Sequence, residues 1–182
     1  MRAQREKGAG PAAGDFADVY ERYFADIHHY IAGRLGRDVA DDIAADTFVV
    51  ALRKYGGFDA GRGPARAWLY GIATNLVAQH RRTEQRRYRA LARAGPERAT
   101  DGHEDRVVSR VAAQVMLPRL AGALARLSQK ERDVLLLVAV ADLSHQEVSQ
   151  ALGIPYGTVG SRLNRARAKI RATLDREGQI DE

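Results

Sequence analysis

The sequence has no cysteine, which excludes disulfides, thiolate metal sites and thiol redox switches within these 182 residues. Long apolar runs are missing too. The longest, Val134 to Ala141, is far short of the roughly 20 residues that a bilayer-spanning helix needs, so no membrane insertion is expected. No segment alternates strictly between apolar and polar residues, as a half-buried strand would. The histidines His28, His29, His80, His103 and His145 form no ligand-spaced cluster, and no phosphate-cradling loop is present. Ser144-His145 lacks a third group to complete a triad. A hydrolytic enzyme therefore has little support, and no catalytic residue, metal or cofactor is expected. Met1 to Gly14 is basic and Gly/Ala-rich, but no apolar core follows it, so a signal peptide is not expected and the cytoplasm is the default location.

What is present is positive charge and helical periodicity. The formal charge is +6 and the isoelectric point is near 9.9, a balance that favours a polyanionic partner. Hydrophobic residues make up 45%, enough for compact cores. Phe16, Val19, Tyr20, Tyr23, Phe24, Ile27, Tyr30, Ile31 and Leu35 recur at helical steps. Gly36 can stop that helix and Asp38 can cap the next, which carries Val39, Ile43, Thr47, Phe48 and Leu52 and ends near Gly56-Gly57. A turn-rich stretch from Phe58 to Pro64 leads into a helix with Trp68, Leu69, Ile72, Ala73, Leu76 and Val77 inward, basic from His80 onward. From Thr83 to about Gly102 the pattern decays into Arg, Ala, Gly and a Pro, a basic helical end running into a linker. Val107, Val111, Val115, Leu117, Leu120, Leu124 and Leu127 restore helical spacing, with Pro118 as a boundary. The fold class expected is all-α.

Two capping boxes follow, Ser128-Gln129-Lys130-Glu131 and Ser144-His145-Gln146-Glu147. The first opens the apolar helix Val134 to Val140, and the second a short helix with Val148, Ala151 and Leu152 inward. Gly153 stops it, Ile154 to Gly157 connects, and a longer helix starts near Thr158 with Val159, Leu163, Ala166, Ile170 and Leu174 on one face. Its other face carries Ser161, Arg162, Arg165, Arg167, Lys169 and Arg171. This is a helix-turn-helix pattern whose second helix fits a major groove; a plain hairpin with a solvated basic face is the alternative.

Two further clusters stand in the first half. Asp38, Asp42 and Asp46 share a helix face at i, i+4 and i+8, with Asp41 beside them. Three readings are open: solvated charge near a helix N-terminus, a metal site, which lacks His or Glu at ligand spacing, or a docking face for a basic partner. Around the Trp68 helix, Arg62, Arg66, His80, Arg81 and Arg82 can track phosphates, while Trp68, Tyr70 and Asn75 offer stacking and base-edge hydrogen bonds. Trp68 and Tyr70 cannot both point one way, so one is core, and Trp68 fits the buried stripe with Ile72.

Leu143-Ser144-His145-Gln146-Glu147-Val148, Leu152-Gly153-Ile154-Pro155-Tyr156-Gly157-Thr158-Val159 and Ser161-Arg162-Leu163-Asn164-Arg165-Ala166-Arg167 resemble region four of the extracytoplasmic-function sigma factors. Asp41-Asp42-Ile43-Ala44-Ala45-Asp46-Thr47-Phe48 and Ala67-Trp68-Leu69-Tyr70-Gly71-Ile72-Ala73-Thr74-Asn75 resemble region two. The resemblance implies two small helical domains: an extension over 1–14, region two over 15–93, a flexible linker over 94–115, region four over 116–176 and a tail over 177–182. It implies a subunit that directs core RNA polymerase to promoters and helps open them. Thr158, Ser161, Arg162, Arg165 and Arg167 would then meet the minus-thirty-five element, and Arg62, Arg66, Trp68, Tyr70, Asn75, His80, Arg81 and Arg82 the minus-ten element. Asp38, Asp41, Asp42, Asp46, Thr47 and Phe48 would face polymerase, which is held through its β′ clamp helices and its β flap. Promoter DNA, both duplex and single-stranded, and an anti-sigma factor complete the implied partners. Gly160, Ala45 and Thr74 depart from the family pattern, which often has basic residues at the first and last. A helix-turn-helix regulator that binds duplex DNA without polymerase is the alternative function.

Overall fold

A computed structural model describes residues 13–93 and 116–178. Among them are eight α-helices and no strand: α1 Ala13–Leu35, α2 Arg37–Tyr55, α3 Ala65–Gln79, α4 Arg81–Arg93, α5 over 116–126, α6 Gln129–Ala139, α7 His145–Leu152 and α8 Tyr156–Gly178. The all-α expectation agrees with this. The linker over 94–115 with Val107, Val111 and Val115, most of the N-terminal extension and most of the tail lie outside the described residues.

The first unit is a bundle of α1 to α4. Ile27, Tyr30, Ile31 and Leu35 of α1 are buried against Ile43, Ala44 and Phe48 of α2 and Leu69, Ala73 and Val77 of α3. Each large apolar side chain removed from water there stabilises the bundle by roughly 1.5–3 kcal/mol. Four sequence expectations need correction. Asp38 does not cap α2: Gly36 is the N-cap and Asp38 sits in the first turn, so its carboxylate acts through the helix dipole alone. Leu52 is 54% exposed rather than core. Pro64 is the N-cap of α3 rather than its first residue. The helix does not continue through the basic stretch but breaks at His80, whose carbonyl accepts from the N–H groups of Thr83 and Glu84 to start α4. The corner lays α4 against α1, with Glu84 and Tyr88 buried.

The second unit comprises α5 to α8. Pro118 lies in the first turn of the described part of α5, and the residues before 116 lie outside the described residues. Both capping boxes form. The Ser128 hydroxyl accepts from the Glu131 N–H at 3.4 Å while the Glu131 carboxylate accepts from the Ser128 N–H at 3.0 Å. The Ser144 and Glu147 pair repeats this at 3.2 and 2.9 Å. Replacing such a cap costs about 1 kcal/mol. Gly153 then ends α7 with φ of 61°, a left-handed turn that glycine adopts without a Cβ penalty. The following helix starts at Tyr156, two residues earlier than expected, and Val159, Leu163 and Ala166 are buried against the rest of the unit.

The two units pack together, α7 along α3 and α6 beside α1 and α4. Gly71 permits the contact: a Cβ there would stand 2.4 Å from the carbonyl oxygen of Ala151.

Candidate nucleic-acid interface

The loop before α3 is shaped by the Asp59 carboxylate, which accepts from the Gly61 N–H at 2.9 Å and holds a single 3-10 turn at Ala60–Arg62. Beside it Tyr55 and Phe58 stack with their planes 5° apart, and Phe58 meets Trp68 at 5.0 Å between ring centroids. This aromatic ladder borders a cavity of about 510 Å³ between the two units, with Asp59, Arg62 and Asn75 on one side of its wall and Gln150 and Ala151 of α7 on the other. Trp68 and Phe58 are partly exposed there, so their ring faces border the cavity. Asn75 is exposed and makes no side-chain hydrogen bond among the described residues, leaving its amide free for a base edge.

Tyr70, not Trp68, is the core member of that pair. Its ring meets Tyr30 edge-on at 5.2 Å, it is 3% exposed, and burial lifts its hydroxyl to about 12. Expecting Tyr70 to stack on DNA is therefore corrected: Phe58, read in the sequence only as a turn residue, is the ring that stands beside Trp68 at the cavity. Thr74 is buried as well, its hydroxyl 3.0 Å from that of Tyr30. Among the basic residues, Arg62, Arg81 and Arg82 are exposed and His80 is half-buried as the C-cap of α3. Arg66 points elsewhere. Its guanidinium donates to the carbonyls of Ala141 and Asp142 in the second unit and lies over the Tyr70 ring. Arg86, Arg89 and Arg93, all exposed, extend the basic face of α4 beyond Arg82 at helical spacing.

On α8, Ser161, Arg165 and Arg167 are exposed, and Thr158 and Arg162 are half-exposed. The Ser161 hydroxyl donates back to the Thr158 carbonyl at 3.1 Å. Tyr156, 57% exposed at the start of α8, joins this face. The helix is anchored by Lys169, whose ammonium donates to both carboxylate oxygens of Glu131 at 2.8 Å; Arg165 reaches the same carboxylate at 4.0 Å. Burial raises the Glu131 pKa, but Lys169, the Ser128 hydroxyl and the Ser128 N–H outweigh it and bring the carboxyl down to about 2.

On α2, Asp38, Asp42 and Asp46 are exposed along one face, which continues into the exposed apolar Val49 and Leu52. Asp41 is tied to His28 of α1 at 2.8 Å. Thr47 and Phe48 cannot touch a partner directly, and their expected role is corrected. Thr47 is fully buried with its hydroxyl donating to the Ile43 carbonyl at 2.7 Å, and Phe48 packs among Phe16, Tyr20 and Phe24. No three His, Cys, Asp or Glu side chains among the described residues gather as a metal site. None of the described helices is long and apolar enough to cross a membrane.

The sequence of each unit matches a known domain family. Residues 19–87 match the family model for sigma-70 region 2, and residues 117–170 match that for sigma-70 region 4. The RNA polymerase sigma factor CnrH of Cupriavidus metallidurans is 35% identical over 144 residues, 76% of this chain and 75% of that protein. The chain belongs to the extracytoplasmic-function sigma factors of the sigma-70 family. SigW of Bacillus subtilis, a member of this class, is 32% identical over 181 residues, covering 94% of this chain and 93% of that one. Among solved structures, CnrH in complex with the cytosolic domain of CnrY superposes with a TM-score of 0.65 at 27% identity, covering 90% of each chain. Regions two and four of this sigma factor thus correspond to the α1–α4 and α5–α8 units.

Proposed function

We propose that this sigma factor directs core RNA polymerase to its promoters through two separate DNA contacts and opens the downstream one by capturing a base. The cavity at the head of α3 carries the proposal. A regulator that reads duplex DNA alone has no use for a base-sized recess lined by Trp68, Phe58 and Asn75, whereas an opened strand does. Arg62, Arg81 and Arg82 would neutralise the phosphates on either side of it. His80, the C-cap of α3 beside Arg81, would add a ring nitrogen to this set, and Arg66 would join once released from the second unit.

At the upstream element, α8 would enter the major groove, with Arg162 and Arg165 reaching base edges and Thr158, Ser161 and Arg167 fixing register on the backbone. Asp38, Asp42 and Asp46, continued by Val49 and Leu52, would dock on the β′ clamp helices, with Asp41 at the edge; Thr47 and Phe48 would shape that helix from beneath. Region four would meet the β flap. Each DNA contact is weak and salt-sensitive alone, and tethering both to polymerase raises their effective concentration. An anti-sigma factor is a proposed partner: the solved structure of the sigma factor RpoE of Bartonella quintana, which shares this fold, contains the anti-sigma factor NepR. Domain limits of 15–93 and 116–176, joined by 94–115, fit the same scheme.

The test is reconstitution. The purified chain is mixed with core polymerase and a pool of genomic fragments, and initiation sites are mapped. Initiation at a shared two-part sequence supports the proposal. Retention of duplex DNA by the chain alone, with no change in where polymerase starts, would instead make it an ordinary regulator.

A further inference from the structure

Two stripes run back to back along α8. Val159, Leu163, Ala166 and Ile170 face the rest of the second unit, the first three of them buried. Gly157, Ser161, Asn164 and Ala168 each precede one of these by two residues, which is about 200° around a helix of 3.6 residues per turn, and all four are exposed. The second stripe is therefore the outermost line of the helix, the part that would sit deepest in a major groove. Arg162 and Arg165 stand on its flank: Arg162 is only half-exposed, and Arg165 reaches toward Glu131 at 4.0 Å.

Chemistry along the outer stripe singles out one side chain. Gly157 and Ala168 carry no polar side-chain atom, and the Ser161 hydroxyl already donates to the Thr158 carbonyl at 3.1 Å. Asn164 makes no side-chain hydrogen bond among the described residues. Its amide holds N–H donors and a carbonyl acceptor side by side, whereas each arginine can only donate. The space in front of it is open. Gly160 lies one turn before Asn164, and a Cβ on Gly157 or on Gly160 would meet nothing within 4 Å. Packing inside the protein thus gives no reason for glycine at either position, although glycine is a poor helix former. Both glycines let the backbone of α8 come close to whatever lies outside it.

We infer that Asn164 selects one base of the upstream element, and that this base is adenine. In the major groove adenine shows an N7 acceptor beside an N6 amino donor, and an amide meets both in one plane. Guanine shows two acceptors there, and cytosine and thymine lack the donor and acceptor pair. With no side chain at Gly160, nothing from the preceding turn competes for the same base pair. The inference rests on reading α8 as the helix that enters the major groove, and it adds a base identity to that reading.

The test is a change of base preference. Holoenzyme is assembled with the parent chain, Asn164→Asp, Asn164→Ala or Arg165→Ala, and given a promoter obtained by selection whose upstream element is then randomised. Templates that initiate are sequenced, and circular dichroism checks that helix content is equal. The parent should favour adenine at one position of the element by about tenfold or more. Asn164→Ala should lose that preference and keep those at the other positions. Asn164→Asp exchanges the donor for a second acceptor, so the preference at the same position should move to cytosine, whose N4 amino group donates to a carboxylate. An asparagine with a purely structural role would not change a base identity. Unchanged preferences in both Asn164 variants overturn the inference, and so does a loss spread equally over all templates, the mark of a phosphate contact. Arg165→Ala separates this failure from that of the reading beneath it. If Arg165→Ala alone shifts the preferred sequence, α8 reads DNA without Asn164; if none of the three variants shifts it, α8 is not the reading helix.

Discussion

Glu131→Gln tests how the recognition helix is held. Glu131 joins the N-terminal cap of α6 to Lys169 of α8, and its carboxyl sits at about 2 against an ordinary 4.5. A difference of about 2.5 in pKa corresponds to about 3 kcal/mol of stability at neutral pH. Gln keeps a capping-box side chain at this position, so the substitution removes mainly the ionic seat of Lys169 and should cost about 2 kcal/mol. Because the folded pKa is depressed, this contribution is complete above about pH 4.5 and is lost as pH falls toward 2. Linkage gives a loss of about 2 kcal/mol between pH 7 and pH 3. Urea unfolding of the parent and the variant at both pH values measures it. The gap between them should be wide at pH 7 and nearly closed at pH 3. An equal gap at the two pH values would show that the Glu131 charge does not hold α8, and that the cost at neutral pH comes from packing.

Three further outcomes are expected. Arg162→Ala and Arg165→Ala should each weaken initiation at a promoter that depends on its upstream element by about 1–3 kcal/mol; normal initiation by both would mean that α8 is not the reading helix. Asp42→Lys with Asp46→Lys should abolish co-purification with core polymerase while leaving the melting temperature nearly unchanged, since exposed substitutions usually cost within about 0.5 kcal/mol. Retained binding would return these residues to solvated charge. Asp38→Ala, which removes a carboxylate from the first turn of α2 without touching a cap, should lower stability by about 0.3–1 kcal/mol through the helix dipole; thermal melting at low salt detects it.

Local signals in the sequence carried most of the second unit. Ser128 and Ser144 with their partners at Glu131 and Glu147, and Gly153 between two helical stripes, are short-range chemistry that survives without tertiary context. The first unit was legible as helices but not in its detail. Which of Trp68 and Tyr70 turns inward depends on Tyr30 and Phe58, residues from other elements, and the helical stripe alone pointed to the wrong ring. The break at His80 was hidden because the apolar periodicity of α3 runs without interruption into a basic segment that lacks a glycine or proline. Arg34, Glu84, Arg132 and Asp133 gave no signal at all. Their pairings span 50, 99 and 48 positions, and in sequence each is one more charged residue of an amphipathic helix. The role assigned to Arg66 shows the same limit, since its partners are backbone carbonyls that any residues at 141 and 142 would supply.

Base capture is the claim that separates this chain from a duplex-binding regulator, and permanganate footprinting of Asn75→Ala tests it most directly. Extracting a base costs a few kcal/mol and must be offset by contacts present only in the open complex. The holoenzyme is assembled with parent or variant on a promoter obtained by selection, and closed-complex binding is followed in parallel by gel shift. Equal closed-complex binding and strongly reduced reactivity of unpaired thymines in the downstream element are expected with the variant. Equal thymine reactivity for parent and variant would contradict base capture.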